Sequence, residues 1–462
     1  MNVSIIIPAH NAAGTIGKAL QSLLAQTHRD WEAIIVDNGS TDETVSVTAG
    51  YVEKDSRIRL VRLPHVGVNV ARNKGIELAS FDWLYFLDAD DWILPAFLER
   101  MTGELTSDSG LDGVHCGWAN TAPDGLKLDE THPTEKGDLF DIFAQKNIFT
   151  IHSCVVRRAL VETVGGFDDA FSITHDWDLW QRIARTGANF GLVHDVLVYY
   201  RMRPGSGWLD PVSYLSQGVR VITNGHSRDP RVPNSAPAHV NGRPAERLAA
   251  AKLHFACWPA GMALGRGEDA TPLLSRLAGV RDHALDPLAV AIGIFYGVAF
   301  SRCQPPSVWG ILWPDLEENV DRFLDRLESL SGTSGLARGA RSILDKLVAE
   351  NSVEQLRARI EMLILERDQR TDQIEELINE RDQSNSQIEM LINERDQSKN
   401  RIEMLSNERD QIKNRMDERE ALIARILRKP WVRLGLRMGL MKRPFELKND
   451  RSAEGKDSGG PG

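Results

Sequence analysis

Three short runs of residues carry carboxylates at positions where they could do chemistry. Each run follows an apolar stretch or begins a helix-like segment, and the runs are Asp37-Asn38-Gly39-Ser40-Thr41-Asp42, Asp88-Ala89-Asp90-Asp91 and His175-Asp176-Trp177-Asp178. Carboxylates in such places can hold a divalent cation with its phosphate ligands, and one of them can take a proton from an attacking hydroxyl. The three runs together predict a transferase that uses a sugar nucleotide.

The elements that must position these carboxylates are short strands. Residues 1–207 alternate β-rich apolar runs, at 5–7, 33–36, 58–61 and 83–87, with amphipathic segments. This alternation predicts an α/β domain whose mostly parallel sheet is flanked by helices. Ligands of such sheets gather beyond the carboxyl ends of the strands. Asp37, Asp88 and Asp90 come just past the last apolar residue of a strand, so we expect them at that edge.

The remaining sequence changes character twice. The chain of 462 residues is long enough for two or three domains at roughly 150 residues each. Residues 208–350 are rich in Ala, Leu and Arg, and we expect a helical domain with helices at 248–255, 288–300 and 316–330. No function follows from this composition.

Residues 351–424 are a repeat. Ile360, Ile374, Ile388 and Ile402 recur every 14 residues, each followed three positions later by leucine. Fourteen residues are two heptads, so isoleucine at a and leucine at d predict a coiled coil and hence a homo-oligomer. Arginine occupies the alternate a positions, which leaves a solvated single helix carried by Glu and Arg pairs as the alternative.

The C-terminal residues mix basic and apolar side chains. The composition of residues 425–448 is typical of a segment that binds an anionic membrane surface. The alternative is that this segment forms a cap packed on the coiled coil or on another subunit. We expect residues 449–462 to be a disordered tail. The longest apolar run, at 288–300, is shorter than the roughly 20 residues that span a bilayer.

Net charge and cysteine spacing indicate which binding partners and which cellular compartment to expect. The net charge is −10, which argues against wholesale nucleic-acid binding. The four cysteines are widely spaced, without a CxxC pair, and the N-terminus lacks a basic region before its short apolar run. We therefore expect a cytoplasmic protein that can lie peripherally on the inner face of the membrane.

Several ordered motifs in residues 3–206 resemble family 2 inverting glycosyltransferases with the GT-A fold. Pro8-Ala9-His10-Asn11 resembles the loop that lines the nucleotide base, and the run at 37–42 resembles the family's Asp-Asp-Gly-Ser-x-Asp, with Asn38 in place of the second aspartate. Residues 67–75 resemble the segment over the nucleotide. The resemblance implies a nucleotide-sugar site formed by Pro8, His10, Asn11, Asp37, Asn38, Arg72, Asp88 and Arg203.

The metal ligands are also carried over from the family. Asp88-Ala89-Asp90 matches the DxD motif, which implies Mg²⁺ or Mn²⁺ bound by Asp90, with Asp88 on the ribose or on metal-bound water. Isolated acidic pairs at strand ends are common, so this motif is informative only in the company of the others. Arg203 stands where the family often has histidine. Arginine cannot bind a cation but can clamp a diphosphate.

The same resemblance supplies a general base and an acceptor side. Residues 174–183 resemble the family's Glu-Asp-x-Asp-Leu-x-x-Arg helix start, which implies that Asp176 is the base, although a helix N-cap is the alternative role. Gly165-Gly166-Phe167-Asp168 resembles the loop beside the acceptor. We expect Gly166, Asp168 and Trp177 on that side.

These features predict a metal-dependent, inverting transfer of one sugar to a hydroxyl of a glycan, a lipid-linked precursor or a protein, in polysaccharide or glycoconjugate assembly. A sugar nucleotidyltransferase would need a Gly-rich phosphate loop, which residues 8–17 lack. A glycosidase would not need the nucleotide loops. The non-enzymatic alternative is a degenerate domain that binds carbohydrate or acts as a scaffold in a coiled-coil assembly.

Overall fold

The apolar runs of the first 90 residues form four parallel strands. The computed structural model describes residues 1–203, 210–350, 353–430 and 433. The strands are β1 (Val3–Ala9), β2 (Trp31–Asn38), β3 (Ile58–Leu63) and β4 (Trp83–Phe86), in the spatial order β3-β2-β1-β4. The crossovers are α1 (Ile16–Leu24), α2 (Thr44–Val52) and α3 (Val68–Leu78). All three strand pairs are parallel, as the sequence predicts.

The rest of the ten-stranded sheet corrects the prediction of a mostly parallel sheet. Its elements are β5 (Trp92–Ile93), α4 (Phe97–Ser107), β6 (Gly113–Thr121), β7 (Lys127–Thr131), β8 (Gly137–Asp138), α5 (Phe140–Phe143), β9 (Cys154–Arg157), α6 (Arg158–Thr163), α7 (His175–Arg185) and β10 (Asn189–Arg201). β9 lies between β4 and β6 and is antiparallel to both. It enters the sheet from a short 3₁₀ turn, Ile151–Ser153, not from a crossover helix, so nothing forces it to run parallel. The sheet is therefore mixed.

Helices cover both faces of this sheet. Alternate residues of β1 belong to different cores, with Ile5 and Ile7 on the side of α1 and α4, and Ile6 on the side of α3 and α7. A strand that is buried on both faces has a nearly continuous run of apolar residues in its sequence. This packing fixes the carboxyl ends of β1, β2 and β4 at one edge of the sheet.

A third core lies among helices that follow residue 210. They are α8 (Pro211–Gly225), α9 (Leu248–Gly265), α10 (Thr271–Ser275), α11 (Pro287–Ser301), α12 (Trp309–Ser331) and α13 (Leu336–Val348). The three predicted helices lie within α9, α11 and α12. Within the described ranges no single helix is long and apolar enough to cross a membrane. The bent pair Pro287–Ser301 and Pro306–Ser331, at 102°, meets that criterion by length and composition only when taken together.

The repeat forms one helix of 75 residues, α14 (Val353–Leu427). Residues 1–366 make one compact unit and residues 367–462 a second. In the first unit, Ile360 and Leu363 are only 7% and 8% exposed, and Ile360 belongs to the third core. In the second, apolar residues at a and d such as Ile388 and Leu391 are 54% and 64% exposed. The predicted coiled coil remains a prediction.

The predicted domain boundaries at 207, 350 and 424 also remain predictions. Residues 204–209, which include the end of the family motif that contains Arg203, lie outside the described residues. So do residues 449–462, the predicted tail, and all of the predicted basic segment except 425–430 and Arg433.

Candidate active site

The first part of the site is the loop of residues 88–91 after β4. Nη2 of Arg72, on α3, donates to Oδ1 of Asp88 at 2.6 Å. Burial alone would raise the pKa of Asp88, but the charge of Arg72 lowers it overall. Arg72 is 1% exposed, and within the described part of the chain its Nε and Nη1 have no hydrogen-bond partner. A buried guanidinium with unused donors is suited to an anionic ligand.

Asp90 faces a different arginine. It forms an ion pair with Arg203, and the backbone carbonyl of Asp90 accepts a hydrogen bond from Nε of Arg201 at 3.0 Å. Burial and the charge of Asp88 raise the pKa of Asp90, while Arg203 opposes that rise. The structure thus brings together two predicted site residues that are far apart in sequence.

A third group beside this loop has the composition of a metal site. Ligand atoms of Asp88, Asp91 and His152 all lie within 4.8 Å of one another. Asp91 and His152 are buried, and Nδ1 of His152 lies 3.1 Å from Oδ2 of Asp91. Burial lowers the pKa of His152 to about 4, so the imidazole is neutral at pH 7, which is the form that binds metals.

These donors fit the expected cation. Carboxylate oxygens suit Mg²⁺ and Mn²⁺, and Mn²⁺ also accepts imidazole nitrogen. Within the described residues neither ring nitrogen of His152 makes a hydrogen bond, so no hydrogen bond occupies the unprotonated nitrogen of the neutral ring, which is the one that can bind a cation. Asp88 and Asp90 were predicted as ligands from their motif, whereas His152 was not, because the turn that carries it has no recognisable signature. Asp91 was part of the acidic run but received no role.

The other end of the site is the first turn of α7. Oδ2 of Asp176 accepts a hydrogen bond from Nδ2 of Asn147 at 3.0 Å, and its Oδ1 accepts from the backbone N–H of Trp177 at 2.7 Å. Burial nevertheless raises the pKa of Asp176 to about 6. The N-cap of α7 is Thr174, so Asp176 lies inside the first turn and does not cap the helix. Its neighbour His175 is neutral, because burial and Arg72 lower its pKa to about 3.

Charges at both ends of the site act on Tyr200, at the end of β10. Burial raises the pKa of the Tyr200 hydroxyl, and the charges of four carboxylates, Asp88, Asp90, Asp91 and Asp176, raise it further. The charges of Arg72 and Asp88 also act on Asp176 itself. The ring of Tyr200 stacks on His152 with centroids 5.1 Å apart. Asp90 and Asp176 are therefore within electrostatic range of the same phenol, as expected of one site.

A pair of histidines lies at the ends of β1 and β3. The rings of His10 and His65 are 4.4 Å apart, and Nδ1 of each is within hydrogen-bond distance of the backbone carbonyl of Asn38, at 2.9 and 3.1 Å. The two rings are inclined at 40° to each other, and both are exposed at this edge of the sheet. His10 was predicted here, whereas His65 was missed.

The other predicted nucleotide residues hold the loops around this pair of histidines. Oδ1 of Asn38 accepts from the backbone N–H of Val66 at 2.8 Å, and Oδ1 of Asn11 accepts from that of Thr41 at 2.8 Å. Pro8 is buried within β1. Asp37 is also buried, and its Oδ1 has no hydrogen-bond partner in the described ranges.

The predicted acceptor-side residues all have partners inside the protein. Trp177 is buried in the core beside α5, and its Nε1 donates to the carbonyl of Phe143 at 2.7 Å, so it does not reach the surface where we expected it. Gly166 has a φ of 67° and packs against Asn73. Oδ2 of the half-buried Asp168 accepts from Nη1 of Arg231 at 2.8 Å.

Comparison with known proteins identifies the class. A profile of glycosyl transferase family 2 matches residues 4–165. The chain is 32% identical over 202 residues, 43% of its own length and 79% of the relative, to the putative teichuronic acid biosynthesis glycosyltransferase TuaG of Bacillus subtilis strain 168. The chain therefore belongs to glycosyl transferase family 2.

The chain is also similar to other glycosyltransferases. The chain is 29% identical over 214 residues to the uncharacterized glycosyltransferase EpsJ of the same B. subtilis strain, over 44% of its own length and 62% of EpsJ. The matched region is thus less than two thirds of that relative. The mannosyltransferase PcManGT from Pyrobaculum calidifontis, solved with GDP-Man and Mn²⁺, is 20% identical with a TM-score of 0.43, and the match covers 70% of this chain and 87% of that one.

Proposed function

We propose that this protein is an inverting glycosyltransferase that moves one sugar from a nucleoside-diphosphate sugar to an acceptor hydroxyl. The observation that carries the proposal is the group of donor atoms of Asp88, Asp91 and His152 within 4.8 Å of one another, with the charge of Asp176 acting on the same Tyr200 as the charges of the 88–91 loop. A base on one side and a cation-binding acidic loop on the other are the two parts that a single displacement requires. Family membership supports the same reaction class.

Asp176 is the proposed general base. A carboxylate with a pKa of about 6 is ionised at pH 7 and is a stronger base than an ordinary aspartate. Its hydrogen bonds from Asn147 and from the N–H of Trp177 hold the carboxylate in one orientation. The acceptor hydroxyl gives its proton to Asp176 as its oxygen attacks the anomeric carbon, and the bond from that carbon to the diphosphate breaks.

Two arginines are placed for the leaving group. The unused Nε and Nη1 of buried Arg72 can donate to a phosphate, and Arg203 lies beside the same acidic loop. Arginine provides paired donors that match phosphate oxygens. For the nucleotide, the His10 and His65 rings provide the stacking surface, and the unpartnered Oδ1 of buried Asp37 can accept a hydrogen bond from the base.

A divalent cation, Mg²⁺ or Mn²⁺, is part of the proposal. Asp88, Asp91 and His152 have donor atoms close enough to share one ion, and Asp90 becomes a further ligand when it is released from Arg203. A bound cation would neutralise charge that develops on the departing diphosphate. Arg72 and Arg203 supply positive charge to the same region from the chain itself.

The proposal extends to the acceptor and to the assembly of the protein. TuaG is named for teichuronic acid biosynthesis, and we propose for this chain a role in cell-surface polysaccharide or glycoconjugate assembly on the cytoplasmic side of the membrane. The exposed isoleucine and leucine positions of α14 support a homo-oligomer in which second copies cover that stripe.

The test is turnover of a donor panel by the full chain. UDP-glucose, UDP-N-acetylglucosamine and GDP-mannose are each incubated with Mn²⁺ and the protein. The release of the nucleoside diphosphate, UDP or GDP, and the anomeric configuration of any product are measured. Asp176→Asn should lower turnover by about 1,000-fold or more, because the base is lost. Asp90→Ala should also lower it, while Asp345→Asn, in the helical region, serves as the control.

Two outcomes contradict this proposal. Nucleotide-sugar binding without turnover of any donor would favour the scaffold function. Turnover unaffected by Asp176→Asn would show that another group is the base.

A further inference from the structure

The segment between α8 and α9, residues 226–243, lies against the base-bearing helix α7. Val232 belongs to the same core as Trp177 and Ile183 of that helix. The N–H of Ala236 donates to the carbonyl of Arg185 at 2.9 Å, and Nη1 of Arg185 donates to the carbonyl of His239 at 2.8 Å. We call residues 226–243 the strap. It lies outside the residues matched by the family profile.

Arg231 of the strap reaches three carboxylates. Its Nε and Nη2 bind the two oxygens of Asp229, at 3.0 and 2.7 Å. Its Nη1 lies 2.8 Å from Oδ2 of Asp168 and 3.0 Å from Oδ1 of Asp178. The fork to Asp229 fixes the guanidinium plane, so its third nitrogen is aimed between Asp168 and Asp178.

These contacts continue into the interior. Asp178 is buried two residues after Asp176, and its Oδ2 pairs with Nη2 of Arg182 at 2.7 Å. Arg182 also donates to the carbonyls of Val164 and Gly166. Arg231 and Arg182 therefore tie the loop of residues 164–168 to the first turn of α7 through the shared carboxylate of Asp178.

We propose that Arg231 is a positioning residue for the transfer reaction. It locks the 164–168 loop against the first turn of α7 and so fixes the orientation of Asp176. The proposal rests on the proposed role of Asp176 as the base. Without Arg231, Asp168 loses its anchor and Asp178 keeps only Arg182. Because a shift of about 1 Å in a catalytic group can cost about 100-fold in rate, the effect should appear in kcat.

The chain offers a matched control in Arg341. This arginine likewise reaches three carboxylates, Glu317, Asp321 and Asp345, and its exposure of 26% resembles the 29% of Arg231. It lies on α13 in the helical region. Arg341→Gln should disturb a comparable ionic cluster without touching α7.

The experiment compares full-length Arg231→Gln, Arg231→Lys and Arg341→Gln. Hydrogen exchange of backbone amides in residues 164–185 should quicken in Arg231→Gln and stay unchanged in Arg341→Gln. Hydrolysis of the donor that the wild-type protein turns over should show kcat lowered by about 10- to 100-fold in Arg231→Gln with KM for the donor little changed. Arg231→Lys keeps the positive charge but cannot form the paired hydrogen bonds to Asp229. Its kcat should therefore lie between those of the wild-type protein and Arg231→Gln.

The outcomes separate the two proposals. Equal exchange in residues 164–185 and equal kcat for Arg231→Gln and Arg341→Gln would overturn the positioning role. A wild-type protein that hydrolyses none of the three donors would count against the proposed function, and the exchange measurement would still decide whether Arg231 orders the first turn of α7.

Discussion

Arg203 forms an ion pair with Asp90, so the carboxylate predicted to bind the cation faces a guanidinium. This pairing explains how a chain with arginine at that position can keep an acidic loop intact. It also sets up competition, because a divalent cation and Arg203 would bind the same carboxylate of Asp90.

Removal of Arg203 should therefore strengthen cation binding. In Arg203→Ala the repulsion between the guanidinium and the cation disappears, and Asp90 becomes available as a ligand. We expect the Kd for Mn²⁺ to fall about 3- to 10-fold, on the order of 1 kcal/mol for charges near a protein surface. Electron paramagnetic resonance of unbound Mn²⁺ measures this directly. A weaker affinity in the variant would show that Arg203 helps to build the cation site.

The pH dependence of turnover should report Asp176. Only the ionised carboxylate can act as a base, so the rate should fall as the pH drops below about 6. The hydrogen bond from Asn147 stabilises the charged form and lowers the pKa. Asn147→Ala should therefore move the acid limb of kcat to higher pH. Gln145→Ala, at a nearby half-buried residue, is the control, and an identical shift in both variants would count against the assignment.

Substitution of Gly165 and of Gly166 by alanine should lower the free energy of unfolding by different amounts. Both have positive φ, 83° and 67°, but a Cβ on Gly166 would lie 2.5 Å from Oδ1 of Asn73, whereas nothing lies within 4 Å of one on Gly165. Gly165→Ala should cost only the backbone strain, about 1 kcal/mol. Gly166→Ala should cost about 1 to 3 kcal/mol more, since crowding is added. Urea unfolding measures both, and equal costs would mean that Asn73 moves aside freely.

Truncation should separate the first unit from the exposed repeat. A chain that ends at residue 366 keeps Ile360 and Leu363, whereas one that ends at residue 352 loses both buried side chains. We expect the shorter chain to be less stable by about 2 to 5 kcal/mol. Both should retain donor turnover, and light scattering should show monomers in contrast to the full chain. A folded but inactive 1–366 chain would contradict this division.

The sequence predicted most of what is local. The parallel strands β1, β2 and β4 follow from apolar runs, because a strand buried on both faces must be largely apolar. The edge strand β3 has only one buried residue and follows from a shorter apolar pattern. The long helix follows from a repeat of 14 residues, which matches helical periodicity. The acidic loop and Asp176 could be predicted as site residues because each motif is contiguous. The antiparallel β9 was not predictable in this way, since strand direction depends on how the chain enters the sheet.

The sequence by itself determined which carboxylates stand at strand and helix ends, because those positions follow from short-range periodicity. Only the tertiary structure decided which residues meet them. His65, His152 and Arg231 reach the site from segments with no motif of their own, and Trp177, predicted at the acceptor, is in the core. The physical reason is that such contacts depend on strand order and on the packing of α7 against the strap. Neither of these follows from the spacing of residues within one segment of the sequence.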